Sequence, residues 1–165
     1  MKAFLHPFAR TAALALAALA LLALAACSSS GKRVSPPAAA IQQLTVQANG
    51  DWALELRLHN YSSVSMRFDS VDLEVSVDEH VAGRVRVAPG ISIGPTSADV
   101  VQATLKPEGM ARIAVADALA GRRSLAYRLQ GKVNATPDEA SKSREFEVDD
   151  RSALNPAPGL DGVLR

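Results

Sequence analysis

The sequence predicts a mainly β protein, an antiparallel β-sandwich of seven or eight strands with one short α-helix. Three observations lead there. Apolar and polar residues alternate with period two in run after run between residues 40 and 150, as half-buried strands require. Turn signals interrupt those runs at short intervals. A long helical repeat is absent from the same region. This spacing of short strands is the pattern of immunoglobulin and fibronectin III sandwiches, although the chain lacks the Cys…Trp…Cys spacing of true immunoglobulin domains.

Taken in order, Ile41, Leu44 and Val46 mark an opening strand with imperfect alternation. Asn49-Gly50-Asp51 is a turn, and Asn-Gly is a strong hairpin signal. Trp52, Leu54, Leu56 and Leu58 alternate with Ala53, Glu55, Arg57 and His59. This strand turns its apolar row inward, and Trp52 opens that row as a core residue. After a turn at Asn60–Ser63, Val64 to Phe68 alternates again. Val71, Leu73, Val75 and Val77 then alternate with Asp72, Glu74, Ser76 and Asp78. Beyond a turn at Asp78–His80, Val81 and Arg84-Val85-Arg86-Val87 form the next strand. Its outward arginines suit an edge strand guarded against aggregation.

Pro89-Gly90 and Gly94-Pro95 break the chain, and Ala98 to Leu105 is a strand. Met110 to Leu119 is Ala-rich, with Ile113, Val115 and Leu119 spaced for a short helix ending near Gly121; a strand is the alternative there. Leu125, Tyr127, Leu129 and Val133 alternate, with Gly131 interrupting. Glu145 to Val148 is a last strand, and Asp149-Asp150 reads as its solubilising end. Residues 151–165 hold Asn155-Pro156-Ala157-Pro158-Gly159 and read as a loose, disordered tail.

The 165 residues suit one domain. The formal net charge is +1, and 18 bases face 17 acids. Removing residues 1–26 takes away two bases, Lys2 and Arg10, and no acid, which leaves a net −1. So balanced a chain offers no basic face for nucleic acid. Aromatic residues at 4% leave little for base stacking. No catalytic residue is assigned: no nucleophile stands beside a base, and phosphate loops and serine elbows are absent. His59 and His80 are solvated and too isolated for zinc. Asp69, Asp72, Glu74 and Asp78 form the densest acidic stretch; Asp72, Glu74 and Asp78 share one face of a strand and have the oxygens for weak Ca²⁺ binding, but without the Gly-centred loop of a dedicated site they read as a solvated polar face. No metal or other cofactor is expected, and the chain is read as a non-enzyme.

Residues 1–26 carry a basic start, an Ala/Leu run from Thr11 to Ala26 that is short for a spanning helix, and small residues before Cys27. The stretch Leu24-Ala25-Ala26-Cys27 resembles the bacterial lipobox. That resemblance implies diacylglycerol on the Cys27 sulfur, cleavage before Cys27 and acylation of the new amino group. The partner is then the lipid bilayer, with two or three acyl chains giving durable attachment. The alternatives are an uncleaved anchor and ordinary secretory cleavage with Cys27 an incidental thiol, the chain's single cysteine. Ser28 stands where Asp would resemble an inner-membrane retention signal. The expected address is therefore the cell envelope, at the outer membrane facing the periplasm in a Gram-negative host. Residues 27–39, rich in Ser, Gly and Pro, read as a flexible tether. The domain proper is 40–150.

Within that domain, Leu54 to Asn60 resembles the "v-x-l-x-v-x-N-P-N" strand of the LEA14-like family, the group 2 late embryogenesis abundant proteins whose domain is also called WHy. Asn60 matches the first Asn, and Tyr61 stands where the pattern has Pro. Met66 to Val75, His80-Val81-Ala82-Gly83 and Leu125 to Val133, with Tyr127 and Gly131, resemble the later segments, in order over about residues 36–150. The resemblance implies an immunoglobulin-like sandwich and a role in desiccation or related stress, with Asn60, Gly83, Tyr127 and Gly131 as structural residues. In bacteria it implies small lipoproteins of mostly unknown role. The alternative role is an interaction module that docks an envelope protein through a sheet edge or groove.

Overall fold

A computed structural model of the chain describes residues 31–138 and 140–165. Cys27, Leu24, Ala25 and Ala26 lie outside the described residues. Among the described residues, nine strands and one helix follow in order: β1 Ala38–Val46, β2 Trp52–Asn60, β3 Met66–Val77, β4 His80–Val87, β5 Ile91–Ile93, β6 Ser97–Leu105, α1 Gly109–Gly121, β7 Leu125–Pro137, β8 Arg144–Leu154 and β9 Val163–Leu164. One sheet has the order β6-β2-β1-β9 and the other β4-β3-β7-β8, with β5 also on β3. All pairings are antiparallel. The result is the β-sandwich with one short helix that the alternation predicts.

The inward rows are those read from the sequence. Trp52, Leu54, Leu56 and Leu58 of β2 are fully buried, as are Val71, Leu73, Val75 and Val77 of β3 and Leu125 and Leu129 of β7. Side-chain period two puts each row on one face, and the two faces meet to exclude water. Burying each such side chain contributes about 1.5–3 kcal/mol.

Breaks in the alternation correspond to bulges. In β1 the register shifts between Ile41 and Gln43, so Gln42 is the extra residue and Ile41 and Leu44 both point inward. The runs Val64–Phe68 and Val71–Val77, read as separate, share one strand from Met66 to Val77, because Asp69 bulges between Phe68 and Ser70; Val64 and Ser65 stay in the loop before it. A third bulge puts Ala82 of β4 opposite the Val75/Ser76 step. The β1–β2 turn closes through Gly50 N–H on the Gln47 carbonyl at 2.9 Å. Gly50 has φ +84° there, a left-handed conformation that glycine adopts without strain.

Residues 110–119 are helical: Ala111, Val115 and Ala118 recur at helical spacing and are the buried side. Arg122 caps the helix with φ 48°. Segment 89–95, read as a break, contains β5.

Both ends of the domain depart from the sequence reading. Residues 151–165 are not a loose tail. β8 continues to Leu154, Asn155 and Arg165 exchange backbone hydrogen bonds at 2.6 and 2.8 Å, and β9 pairs with β1. Leu154 and Leu164 are buried, and two such apolar anchors outweigh the Pro/Gly composition. Of the flexible tether expected over 27–39, the part from Arg33 onward is instead docked on the domain. Ala39 is buried in β1, Pro37 is buried, and Ser35 bonds to Ser62.

The strands define two ends. At one lie the β2–β3 loop, β5 and the β7–β8 loop. At the other lie the β3–β4 turn and α1, joined to the sheet by Glu108 N–H on the Ala82 carbonyl at 2.9 Å.

Candidate functional site

Charge on the outward face of the β4-β3-β7-β8 sheet alternates strand by strand over most of its length, with Arg151 of β8 opposite Arg128 of β7 as an exception. Arg84 and Arg86 on β4 face Asp72 and Glu74 on β3; Arg128 and Lys132 on β7 lie between those acids and Glu145, Glu147 and Asp149 on β8. Opposite charges on neighbouring strands attract directly. Arg84 and Arg86 each reach Asp72 at 3.1 Å, Arg128 clasps Asp149 through two nitrogens at 2.6 Å, and Lys132 reaches Glu145 at 2.6 Å. The Arg128 hydrogen bonds hold the Asp149 carboxyl below its ordinary value of 3.8, and Asp149 in turn raises Arg128. The Glu145 hydrogen bond raises Lys132.

At the lower end of this face, beside the Asp78–Glu79 turn, an open concavity of about 630 Å³ is lined by Ser76, Asp78, Glu79, Tyr127, Arg128 and Arg151. It offers hydrogen-bonding groups of both charges. Among the described residues, no group of three or more His, Cys, Asp or Glu side chains could hold a metal ion. Asp72, weighed in the sequence as a weak calcium ligand, is occupied by two arginines.

Asn60 occupies the end with the β2–β3 loop and is buried. Its Nδ2 donates to the carbonyls of Val64 (2.8 Å), Ile93 (3.0 Å) and Gly94 (2.9 Å), and its Oδ1 accepts Ser62 N–H at 2.9 Å. One side chain thus ties β2, the β2–β3 loop and β5 together. Ser62, also buried, bonds to Ser35 in both directions. Asp69, the bulged residue of β3, accepts from Thr136 (2.6 Å), Ser143 (3.0 Å) and Arg67 (2.8 Å). Those bonds, Thr136 foremost, lower its pKa.

The Tyr127 hydroxyl accepts Ile41 N–H at 3.1 Å, and the Asp150 carboxylate accepts Ala39 N–H at 2.9 Å. These two side chains of one sheet satisfy alternate N–H groups of β1 in the other. A Cβ on Gly131 would lie 2.2 Å from the Asp72 carbonyl oxygen, and one on Gly83 would meet Leu105 Cδ1 at 2.9 Å. His59 stacks on Tyr61 with centroids 5.5 Å apart, and His80 opens β4. The structure therefore turns the Tyr127 side chain into the sandwich, away from the concavity, and leaves Asn60, Gly83, Tyr127 and Gly131 as separate packing points. Sequence reasoning missed Ser62, Asp69 and Asp150. Only Asp69 carried a signal, at the gap in alternation between Phe68 and Val71.

A family model described as late embryogenesis abundant protein matches residues 55–151. None of the curated proteins matches the chain. Among solved structures, an Arabidopsis thaliana protein determined in solution is similar at 12% identity and TM-score 0.45, over 79% of this chain and 84% of that one. A solution structure described as a late embryogenesis abundant protein is similar at 14% identity and TM-score 0.45, over 91% and 86%. A crystal structure from Archaeoglobus fulgidus is similar at 11% identity and TM-score 0.38, over 76% and 98%.

Proposed function

The chain belongs to the late embryogenesis abundant protein family, and from that membership we propose that it is a non-enzymatic protective protein of desiccation or osmotic stress, held in the cell envelope by lipid on Cys27. The family match over residues 55–151 carries this reading. The strand-alternating charges support it physically. Loss of water lowers the effective dielectric and makes an uncompensated charge costly. On this face Asp72, Asp149 and Glu145 each have a cationic partner within 3.1 Å, so drying tightens pairs that already exist.

A deletion strain tests the proposal when complemented by the wild-type chain or by Cys27→Ala, then dried and rehydrated. Loss of survival on deletion, full rescue by wild type and poor rescue by Cys27→Ala are expected. Survival of the deletion strain equal to its parent in both drying and osmotic shock overturns the protective role.

One observation favours a second reading, an interaction module. β6 is an edge strand of nine residues that pairs only with β2, in unbroken register. It carries one charge, Asp99, and no proline. The edges of the other sheet are better guarded: β4 by a bulge and two arginines, β8 by a run of charges. Such an edge can accept an added strand. Crosslinking that recovers one stoichiometric envelope protein through β6 would establish this alternative.

A further inference from the structure

The chain joins the sandwich at one end only, and it is fixed there before β1 begins. Arg33 N–H donates to Ser63 Oγ at 2.7 Å and Ser63 N–H returns to the Arg33 carbonyl at 2.9 Å. Ser35 N–H donates to the Ser62 hydroxyl at 3.0 Å, which donates back to the Ser35 carbonyl at 3.2 Å. Cys27 and Arg33 are six residues apart, and six residues of fully extended chain span at most about 21 Å.

The far end of the sandwich is farther than that. β2 runs from Trp52, beside the α1 end, to Asn60, beside the Arg33 docking site. Its eight steps cover about 26 Å at ~3.3 Å each, and α1 lies beyond them. The end that receives Arg33 also exposes Tyr61 to 50%, its carbonyl held by the Arg33 guanidinium at 3.2 Å. An exposed tyrosine with basic neighbours suits the headgroup level of a bilayer. Three exposed large apolar side chains among the described residues, Val81, Met110 and Ile113, group at the α1 end. Exposure alone would send that cluster to the membrane, but the length of chain opposes it.

Resting on the reading of Cys27 as the lipid-bearing residue, we propose that the domain is held in one orientation. The end formed by Arg33, Tyr61 and the β7–β8 loop faces the lipid surface, and the α1 end with its apolar cluster faces away from it. Inversion would place Arg33 at least about 26 Å above the headgroups, beyond the reach of the linking chain. The apolar cluster is thereby kept available on the side remote from the bilayer.

The full-length chain in its native envelope tests this. Intact mass and flotation come first. Acyl mass on Cys27 with membrane flotation is expected, and a mature chain without added acyl mass overturns the anchoring and the orientation together. A Cys27 sulfur bonded to lipid leaves an introduced cysteine as the single thiol. Ser141→Cys in the β7–β8 loop and Ala116→Cys on α1 are both exposed positions. Each is labelled with a nitroxide, and its collision rate with a headgroup-attached relaxation agent is read. A rate several-fold higher at position 141 than at 116 is expected. Acylated protein with equal rates, or a higher rate at 116, overturns the orientation while leaving the anchoring intact.

Discussion

Replacing Asn60 tests how far one buried amide holds the β2–β3 end together. Its two Nδ2 protons serve three carbonyls and its Oδ1 serves Ser62 N–H. With one proton shared, the side chain makes about three full hydrogen bonds. Each contributes about 1 kcal/mol net, and a buried group left without a partner costs about 1–3 kcal/mol. Asn60→Ala should therefore destabilise the domain by about 3–5 kcal/mol, a large part of the roughly 5–15 kcal/mol a domain has. Asn60→Asp separates donor from acceptor. It keeps the bond from Ser62 but turns a carboxylate toward three carbonyl oxygens, so at neutral pH it should be at least as damaging as Ala. Urea unfolding followed by Trp52, the single tryptophan, reports the change from the far end of β2. At a slope of about 2 kcal/mol per M, both midpoints should fall by about 2 M. An Asn60→Asp midpoint within about 0.5 M of wild type would show that the amide donors contribute nothing, and the reasoning would fail.

Gly131→Ala forces a Cβ to 2.2 Å from the Asp72 carbonyl oxygen; a clash with backbone cannot be relieved by a rotamer change, so a loss of at least about 3 kcal/mol is expected in the same urea assay. Gly83→Ala meets only the movable Leu105 side chain, though at φ +140°, and should cost less. Asp78 and Glu79 both have positive φ, 43° and 67°, in a two-residue turn that favours glycine second; Glu79→Gly should stabilise by up to about 1 kcal/mol and raise the thermal midpoint by a few degrees. Asp69 and Asp149 have pKa values held below 3.8 in the folded chain, so their stabilisation is present above that pH and is lost as pH falls through the lower folded values. Thermal midpoints should fall below about pH 4, and Asp69→Asn should flatten that fall. Lys132 is raised above 10.5, so its contribution is present below that pH and disappears above it.

The strands with regular alternation were legible because packing two faces requires period two; β2 and β7 are the clearest cases. The bulges at Gln42 and Asp69 were legible only as irregularities, since a sequence does not show which partner residue is skipped. β9 was missed because two residues carry no period, and its burial depends on β1 waiting for it. Arg33 to Pro37 was missed because Ser62, more than 25 residues away, satisfies its backbone. Asn60 could be named from family resemblance, but its three acceptors come from β5 and a loop whose positions only the fold sets. The charge alternation across four strands depends on strand order, which is not written in any one segment.

The docking of Arg33 and Ser35 ahead of β1 also determines how the domain bears load. β1 is flanked by β2 along its whole length and by β9 at its far end. A pull on the leading chain runs parallel to the strand axis, so the backbone bonds between β1 and β2 resist together rather than opening one after another. Resistance to forced unfolding follows the height of the unfolding barrier. Tension on the leading chain therefore meets shear geometry, whereas a pull on β6, at the sheet's rim, would let the sheet be peeled open.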